Sequence, residues 1–219
     1  NDAVAAAKDA FYNKEWKEMT PSNRSAILLK VSELIKERKR ELITEEIKDS
    51  GSTFRKAAAD IHNSASFFKV MSKVAANFNF EEVDEKASRE GFSKNRRVYQ
   101  PVGVCAQIIP WNFPLVMAAW KIGPILATGC TTVLKSAAET PVTASILAEI
   151  LKDAGVPNGV VNIVTGGAKE GQAIISHPDI SKISFTGSTA VGRKILGDAA
   201  TGVKNTTMEL GGKSANIVL

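Results

Sequence analysis

The sequence of 219 residues predicts an α/β fold in which a parallel sheet is covered by helices on both faces. Beyond residue 101, short apolar segments typical of strands alternate with longer segments of helical periodicity. Strands joined through a helix run parallel, because the helix returns the chain to the edge where the previous strand began. The first third has helical periodicity throughout, so a helical segment precedes the sheet.

Three helices are predicted before residue 80. The first is short and rich in alanine. A threonine followed by a proline at residues 20–21 provides a cap and a first-turn proline for a long second helix, which Gly51 ends. Apolar residues recur along this second helix at steps of three and four, which is typical of one buried stripe. The predicted helices cover residues 3–11, 21–50 and 53–78.

Residues 80–101 form a separate segment, acidic in its first half and basic in its second. We predict that this segment is a hairpin extending from the main body. The strands expected after it are 102–109, 131–135, 160–164, 182–185, 206–210 and 215–219. The helices expected between them are 115–127, 142–154, 170–176 and 189–200.

The net charge of +5 includes two basic clusters, at residues 36–40 and 94–97. The first is interleaved with glutamates at helical spacing, as on a solvated helix face. The second lacks the aromatic residues of a single-strand binding platform. We therefore expect no nucleic-acid partner. The apolar runs are too short for a bilayer and no signal peptide is visible, so we expect a cytoplasmic protein without a membrane partner.

Cys105 and Cys130 each lie in an apolar stretch and form no CxxC motif. His62 and His177 are far apart and have no ligand spacing. We expect buried, reduced thiols and no metal site.

Two prolines bracket the first of three chemically suggestive motifs, PWNFP at residues 110–114. Prolines restrict the backbone on either side, so the turn is rigid. A rigid turn can hold the Asn112 amide as a preorganised donor for an oxyanion. The alternative is a structural turn in which Asn112 bonds its own backbone.

The second motif is a strand that runs into Gly187, Ser188 and Thr189 at a helix start. Free amides and the helix dipole at such a position favour a phosphate group. The full G-x-G-x-x-G spacing is absent, and an ordinary serine cap is the alternative.

The third motif places Glu209 at a strand end before two glycines. Partial burial there would raise the pKa of the carboxyl and suit it to general-base chemistry. A salt-bridged glutamate beside a flexible turn is the alternative. Lys135 also ends a strand, where it either reaches a ligand hydroxyl or phosphate or lies on the surface.

Taken in order, five motifs resemble the NAD(P)-dependent aldehyde dehydrogenase superfamily over essentially the whole chain. They are PWNFP (110–114), WKIGP (120–124), VLK (133–135), FTGST (185–189) and ELGGKS (209–214). The resemblance implies a Rossmann-like sheet and oxidation of an aldehyde to a carboxylic acid with NAD(P)+. A cysteine would form a thiohemiacetal and then a thioester. Asn112 would donate to the oxyanion, and Glu209 would activate the hydrolytic water.

The resemblance also implies a set of cofactor-binding residues. Lys135 would bond the ribose hydroxyls, Trp111 and Ser188 would contact the pyrophosphate, and Gly187 would let the cofactor approach the backbone. Phe113 and Met117 would lie at the wall of the aldehyde tunnel. The implied cofactor set is Ile108, Ile109, Trp111, Lys135, Ser136, Gly187, Ser188 and Leu210.

In domain terms, the resemblance implies a cofactor-binding domain of residues 1–79 and 102–219. Residues 80–101 would be an oligomerisation hairpin, giving a homodimer or homotetramer. The family nucleophile lies beyond ELGGK, so this chain lacks it together with the catalytic domain. We expect a fragment of a complete enzyme, since the chain stops in an apolar strand. The alternative is a truncated, inactive protein that binds nucleotide or another subunit.

The choice of dinucleotide is suggested by one departure from the family pattern. NAD-preferring relatives usually carry a glutamate three residues after the strand-end lysine, but here that residue is Ala138. The missing carboxylate removes a partner for the ribose 2′-hydroxyl and a charge that would repel a 2′-phosphate. Lys135 and Ser136 remain as possible phosphate partners. The hypothesis is therefore a preference for NADP, or use of both dinucleotides.

Overall fold

The computed structural model describes residues 1–83, 95–215 and 217–218. Five helices come first: α1 (Asp2–Tyr12), α2 (Lys14–Lys17), α3 (Pro21–Glu37), α4 (Lys39–Ser50) and α5 (Phe54–Asn77). The hairpin strands are β1 (Glu81–Val83) and β2 (Arg96–Val98). The α/β part comprises β3 (Val104–Ile108), α6 (Pro114–Thr128), β4 (Thr131–Lys135), α7 (Val142–Asp153), β5 (Val161–Val164), α8 (Ala168–Ser176), β6 (Ile180–Gly187), α9 (Thr189–Thr201) and β7 (Asn205–Leu210).

The five strands β3 to β7 form one sheet in the order β5-β4-β3-β6-β7, and every pairing is parallel. From β3 the chain winds outwards through β4 to β5, then crosses back to place β6 on the other side of β3. The winding therefore changes direction between β3 and β6. The predicted parallel sheet is confirmed.

Helices cover both faces of the sheet. On one face, α1, α8 and α9 pack on apolar residues of β3, β4 and β6 such as Val104, Val133 and Ile183. On the other face, α6 and α7 cover β4 and β5, and Leu134 points into this second core. Helices α3 and α5 pack behind α6. The helical first third thus contributes to both cores, α1 to the first and α3 to α5 to the second, and does not form a core of its own.

The predicted long second helix is wrong in one respect, because it breaks into α3 and α4 at Arg38. The Arg38 N–H still donates to the Leu34 carbonyl, but the backbone of Arg38 leaves helical geometry with ψ at 15°, and α3 ends there. The guanidinium of Arg38 bonds Glu41 at 2.7 Å and Glu149 of α7 at 2.8 Å. The bend lets α4 pack on α5 and α7.

The strand predicted for residues 215–219 is also wrong at the residues described there. Ala215, Ile217 and Val218 have no strand conformation, and Ile217 and Val218 are 77% and 89% exposed. An extended segment joins a sheet only where a neighbouring strand pairs with it. No described strand lies beside this segment.

Within the segment 80–101, β1 and β2 pair as an antiparallel ladder of three residues each. Glu81 bonds Arg96 at 2.7 Å, and Glu82 bonds Arg97 at 3.0 Å. The second basic cluster is therefore partly neutralised across the strands. The central part of the predicted hairpin, residues 84–94, lies outside the described residues. Among the described helices, none is long and apolar enough to cross a membrane.

A carboxyl group is buried where α4 meets α5 and α7. Glu46 is 0% exposed, and neither of its carboxyl oxygens has a hydrogen-bond partner in the described part of the chain. Burial raises the pKa of Glu46, and the nearby Thr143 hydroxyl and Lys56 ammonium only partly oppose this effect. The fold therefore favours the neutral acid at this position.

We predict that Glu46→Gln stabilises the protein at neutral pH. Because the folded-state pKa lies above the unfolded-state value, the folded protein binds the proton more tightly. The contribution of Glu46 to stability is full below about 4.5, the ordinary value, and is lost as the pH rises through the raised pKa. The free energy of unfolding, measured in urea, should rise by on the order of 1 kcal/mol at pH 7. At pH 4 the gain should disappear.

The control is Glu37→Gln at an exposed position of α3, which should change stability little at either pH. Equal effects of Glu46→Gln at pH 7 and pH 4 would contradict the neutral-acid interpretation.

Candidate functional site

All three predicted motifs, and Lys135, lie at the carboxyl ends of their strands, on the same side of the sheet. In parallel strands the carboxyl ends are adjacent, and ligands of such sheets bind there, next to the point where the winding reverses. The register pairs Ile108 with both Lys135 and Phe185, and Gly187 with Leu210. The turn after β3, the end of β4, the start of α9 and the end of β7 therefore surround one cleft.

The turn after β3 presents polar and aromatic groups to solvent. Trp111 is 61% exposed, and Asn112 is exposed as well. Pro114 occupies the first turn of α6, where its missing N–H costs nothing. The Asn112 side chain makes no hydrogen bond within the described residues, so the self-bonded alternative is not observed. Its amide is free to donate to a ligand.

Lys135 is buried, which excludes the interpretation of a surface lysine. It is 7% exposed, and its ammonium donates to the Ser136 carbonyl at 2.9 Å. Burial lowers the pKa of Lys135, with opposing effects from Glu139 and Glu170. A Cβ atom added to Gly171 of α8 would lie 3.6 Å from Lys135 Cδ and 3.8 Å from Ile108 Cδ1. Gly171 thus forms the floor of a cradle for the lysine stem.

Two residues of the expected cofactor set are buried away from the cleft. Ser136 is 0% exposed and its hydroxyl has no partner in the described chain. The sequence did not indicate that this hydroxyl would be buried. Ile109 is 3% exposed and packs in the core with Leu115 and Leu134, so its side chain does not line an open pocket. Sequence alternation alone did not reveal which side chains after β3 and β4 turn inwards.

The start of α9 has the predicted geometry. The Ser188 hydroxyl accepts from the Val191 N–H at 3.4 Å, so it is a true N-cap. The N–H groups of Thr189 and Ala190 have no partner within the helix, which leaves them available to an anion. Gly187 was expected to let a cofactor approach the backbone, but it also leaves room for the Phe185 ring. A Cβ atom there would lie 2.5 Å from Cζ of the Phe185 ring.

The end of β7 differs from expectation in its burial. Glu209 is exposed, because β7 is the edge strand of the sheet in the described part of the chain. The partial burial on which its base chemistry was argued is absent. Leu210 is 38% exposed and rests against Gly192 of α9, where a Cβ atom would collide with it.

Sequence reasoning missed Lys121, which lies near Glu209. Lys121 is 9% exposed and its ammonium donates to the Ser184 hydroxyl at 2.8 Å. Burial lowers the pKa of Lys121 to about 8, and the Glu209 carboxylate opposes that shift. Both residues line a cavity of about 690 Å³ between α6 and strands β3, β6 and β7, together with Met117 and Trp120. A lysine in the apolar stretch of α6 was the signal that could have revealed it.

Sequence reasoning also did not assign the loop after β5 to the candidate site. The Glu170 carboxylate accepts from the Gly167 N–H at 2.7 Å and acts on the charge of Lys135. A glycine pair at a strand end, followed by a glutamate three residues into a helix, was the available signal. This loop therefore belongs to the wall of the cleft beside Lys135.

Both cysteines are buried, as predicted. They pack with Ile125 in a small cluster, beside the amino ends of β3 and β4. Asn112 lies beyond the opposite end of β3, so neither thiol adjoins the turn that carries the candidate oxyanion donor.

The Aldehyde dehydrogenase family model matches residues 1–219, and the chain belongs to this family. An aldehyde dehydrogenase of Aspergillus niger is 44% identical over 99% of this chain and 43% of that protein. Aldehyde dehydrogenase family 2 member B4, mitochondrial, of Arabidopsis thaliana is 42% identical over 100% of this chain and 40% of that protein. The NAD+ complex of a Bacillus cereus aldehyde dehydrogenase superposes with a TM-score of 0.92 at 42% identity, covering 99% of this chain and 44% of that one. The chain spans less than half the length of these relatives.

We predict that Gly187→Ala destabilises the protein, because the added methyl group must displace the buried Phe185 ring. Overpacking of this kind costs about 1–3 kcal/mol in urea unfolding. Gly197→Ala is the matched control on α9, where a Cβ atom would meet nothing within 4 Å. That change should raise stability by about 0.5–1 kcal/mol. Unchanged stability in Gly187→Ala would show that the Phe185 ring is not held there.

Proposed function

We propose that this chain is the cofactor-binding part of an enzyme that oxidises an aldehyde to a carboxylic acid with NAD(P)+. One observation carries the proposal. Buried Lys135, the unbonded backbone N–H groups at the start of α9 and the unbonded side-chain amide of Asn112 all lie at the carboxyl end of the parallel sheet. Membership of the aldehyde dehydrogenase family and the NAD+ bound to the Bacillus cereus relative support it.

The cleft has groups that fit a dinucleotide. A buried cation suits a ribose or phosphate oxygen, and the N–H groups of Thr189 and Ala190 suit a pyrophosphate. Trp111 offers an exposed ring beside them. Gly171 lies beside the side chains of Lys135 and Ile108. When bound, NAD(P)+ would supply the hydride acceptor.

In this proposal, Asn112 and Glu209 act at the reacting carbon of the aldehyde. The Asn112 amide would donate to the oxyanion formed when a cysteine attacks the aldehyde. Glu209 would take a proton from the water that hydrolyses the thioester. Lys121, across the cavity, would influence Glu209 through its charge. The attacking cysteine is neither Cys105 nor Cys130, so we expect the 219 residues alone not to oxidise aldehydes.

The proposed domain organisation follows the family resemblance. Residues 1–79 and 102–219 form the cofactor-binding domain, and residues 80–101 serve oligomerisation into a dimer or tetramer. The antiparallel pairing of β1 with β2 is consistent with an extending hairpin.

The experiment that tests the function compares two substitutions in the complete enzyme. Asn112→Ala should lower kcat on the order of a hundredfold with little change in cofactor affinity, because one oxyanion donor is lost. Glu209→Gln should retain the first turnover and slow the hydrolysis, giving a burst of reduced cofactor in stopped-flow absorbance. Steady turnover unaffected by Glu209→Gln would show that the base is another group.

Cofactor choice gives a second test of the proposal. Ala138 is exposed after β4, so no carboxylate occupies the position that would repel a 2′-phosphate. This absence favours NADP or use of both dinucleotides, whereas Glu139, whose charge acts on Lys135, opposes a 2′-phosphate. Ala138→Glu should lower kcat/KM for NADP about tenfold or more, because a like charge is placed beside the phosphate.

Ala138→Gln is the matched control, since it adds nearly the same volume without the charge. It should leave the NADP/NAD ratio of kcat/KM close to that of the native enzyme. A strong native preference for NAD, or equal effects of Glu and Gln, would show that this loop does not select the cofactor.

A further inference from the structure

Lys56 lies at a position where helix electrostatics disfavour a cation. It is the third residue of α5, and its N–H donates to the Thr53 cap. The positive end of the helix dipole favours acidic residues in the first turn and opposes a lysine. A residue that breaks a local rule in this way requires compensation from its tertiary contacts.

Three contacts hold the Lys56 ammonium in place. It bonds the Asp60 carboxylate one turn along α5 at 2.6 Å, and it donates to the Ser52 hydroxyl at 3.4 Å. It also lies 4.3 Å from the centroid of the Phe113 ring. The Asp60 side chain is only 6% exposed, so its charge is poorly screened and needs a partner. The Lys56 side chain is 34% exposed. The buried Asp60 carboxylate thus fixes the Lys56 ammonium in a position over the face of the Phe113 ring.

Phe113 connects this contact to the candidate site. It is the residue after Asn112 and the N-cap of α6, and its side chain makes no capping hydrogen bond. The Phe113 carbonyl accepts from the Met117 N–H at 2.9 Å, an early bond of α6. The ring is 36% exposed, so burial alone does not fix its orientation. A cation over its face restricts the ring and, through the backbone, the adjoining asparagine.

We propose that Lys56 is a positioning residue: anchored by Asp60, it fixes Phe113 and thereby holds Asn112 in the orientation that donates to the oxyanion. This inference rests on the proposed role of Asn112. It extends the reacting site to α5, a helix of the first third whose sequence shows no catalytic motif.

The contact is tested first without any measurement of activity. Lys56→Met keeps most of the side-chain length but removes the charge. Hydrogen exchange of the peptide that contains Met117 should become about two- to fivefold faster, as expected for loss of one partly exposed cation–π contact. Lys56→Arg should restore the native rate, since a guanidinium also pairs with carboxylates and stacks on rings. Lys73→Met, at an exposed position of the same helix, is the matched control and should change nothing.

The functional consequence is tested in the complete enzyme. Lys56→Met should lower kcat by a similar two- to fivefold factor while the Kd of the cofactor stays the same. In a Phe113→Leu background, Lys56→Met should have no further effect, because the ring on which it acts is gone. Full additivity of the two substitutions would overturn the proposal.

Other outcomes separate this inference from the proposed function. Unchanged hydrogen exchange in Lys56→Met would overturn the anchoring. Faster exchange with unchanged kcat would overturn the positioning role if Asn112→Ala lowers kcat. If Asn112→Ala also leaves kcat unchanged, the proposed role of Asn112 fails, and the inference fails with it.

Discussion

The central position of β3 is the constraint on which the arrangement of the site depends. It pairs in parallel with β4 on one side and β6 on the other, and it is the strand from which the chain winds in both directions. Parallel pairing aligns the carboxyl ends of all five strands. Residues distant in sequence, such as Asn112 and Glu209, therefore lie at the same end of the sheet without any direct bond between them.

The two faces of this sheet are not equivalent. Over β4 and β5, the described chain covers both faces with apolar helices. Over β6 and β7, one face is covered by α8 and α9, while the other carries Lys182, Ser184, Thr207 and Glu209 toward the 690 Å³ cavity. A buried parallel sheet is usually apolar on both faces. In the described residues, this half-face presents polar side chains, two of them ionisable, to the cavity.

Much of the fold follows from local patterns in the sequence. Caps and periodicity placed α5 and the α/β elements within two residues of their observed bounds. The break at Arg38 was not predicted, because apolar periodicity continues across it, and one of the two partners of Arg38 there, Glu149, lies far along the chain. The segment 215–219 was mispredicted for a related reason, since apolar character promotes a strand only where a partner is available.

The sequence predicted that the candidate residues gather at one end of the sheet, but not which of them are buried. Motifs at strand ends placed Asn112, Lys135, Gly187 and Glu209 there, because parallel topology brings such ends together. Which side chains turn inwards depends on helices packed from elsewhere. Ser136 and Ile109 face the core, whereas Glu209 remains exposed on an edge strand. A lysine within an apolar helix could have drawn attention to Lys121, but its partner, the Ser184 hydroxyl that accepts its hydrogen bond, lies 63 residues away and is not indicated by the local sequence.

The buried cations around the cleft share one physical property that relates the fold to its chemistry. Lys121 and Lys135 are both less than a tenth exposed, and burial lowers the pKa of each. Each is held by a single neutral oxygen, from Ser184 and Ser136 respectively, so its charge is not cancelled at close range. A charge kept in this state costs folding free energy, but it interacts strongly with any anionic group that enters the cleft. Lys56 differs, because the Asp60 carboxylate pairs with its charge, and its other close contacts are the Ser52 hydroxyl and the Phe113 ring. Lys121 and Lys135 are therefore suited to interact with the charge of a ligand or a carboxylate. Lys56 is suited to fix the position of the Phe113 ring.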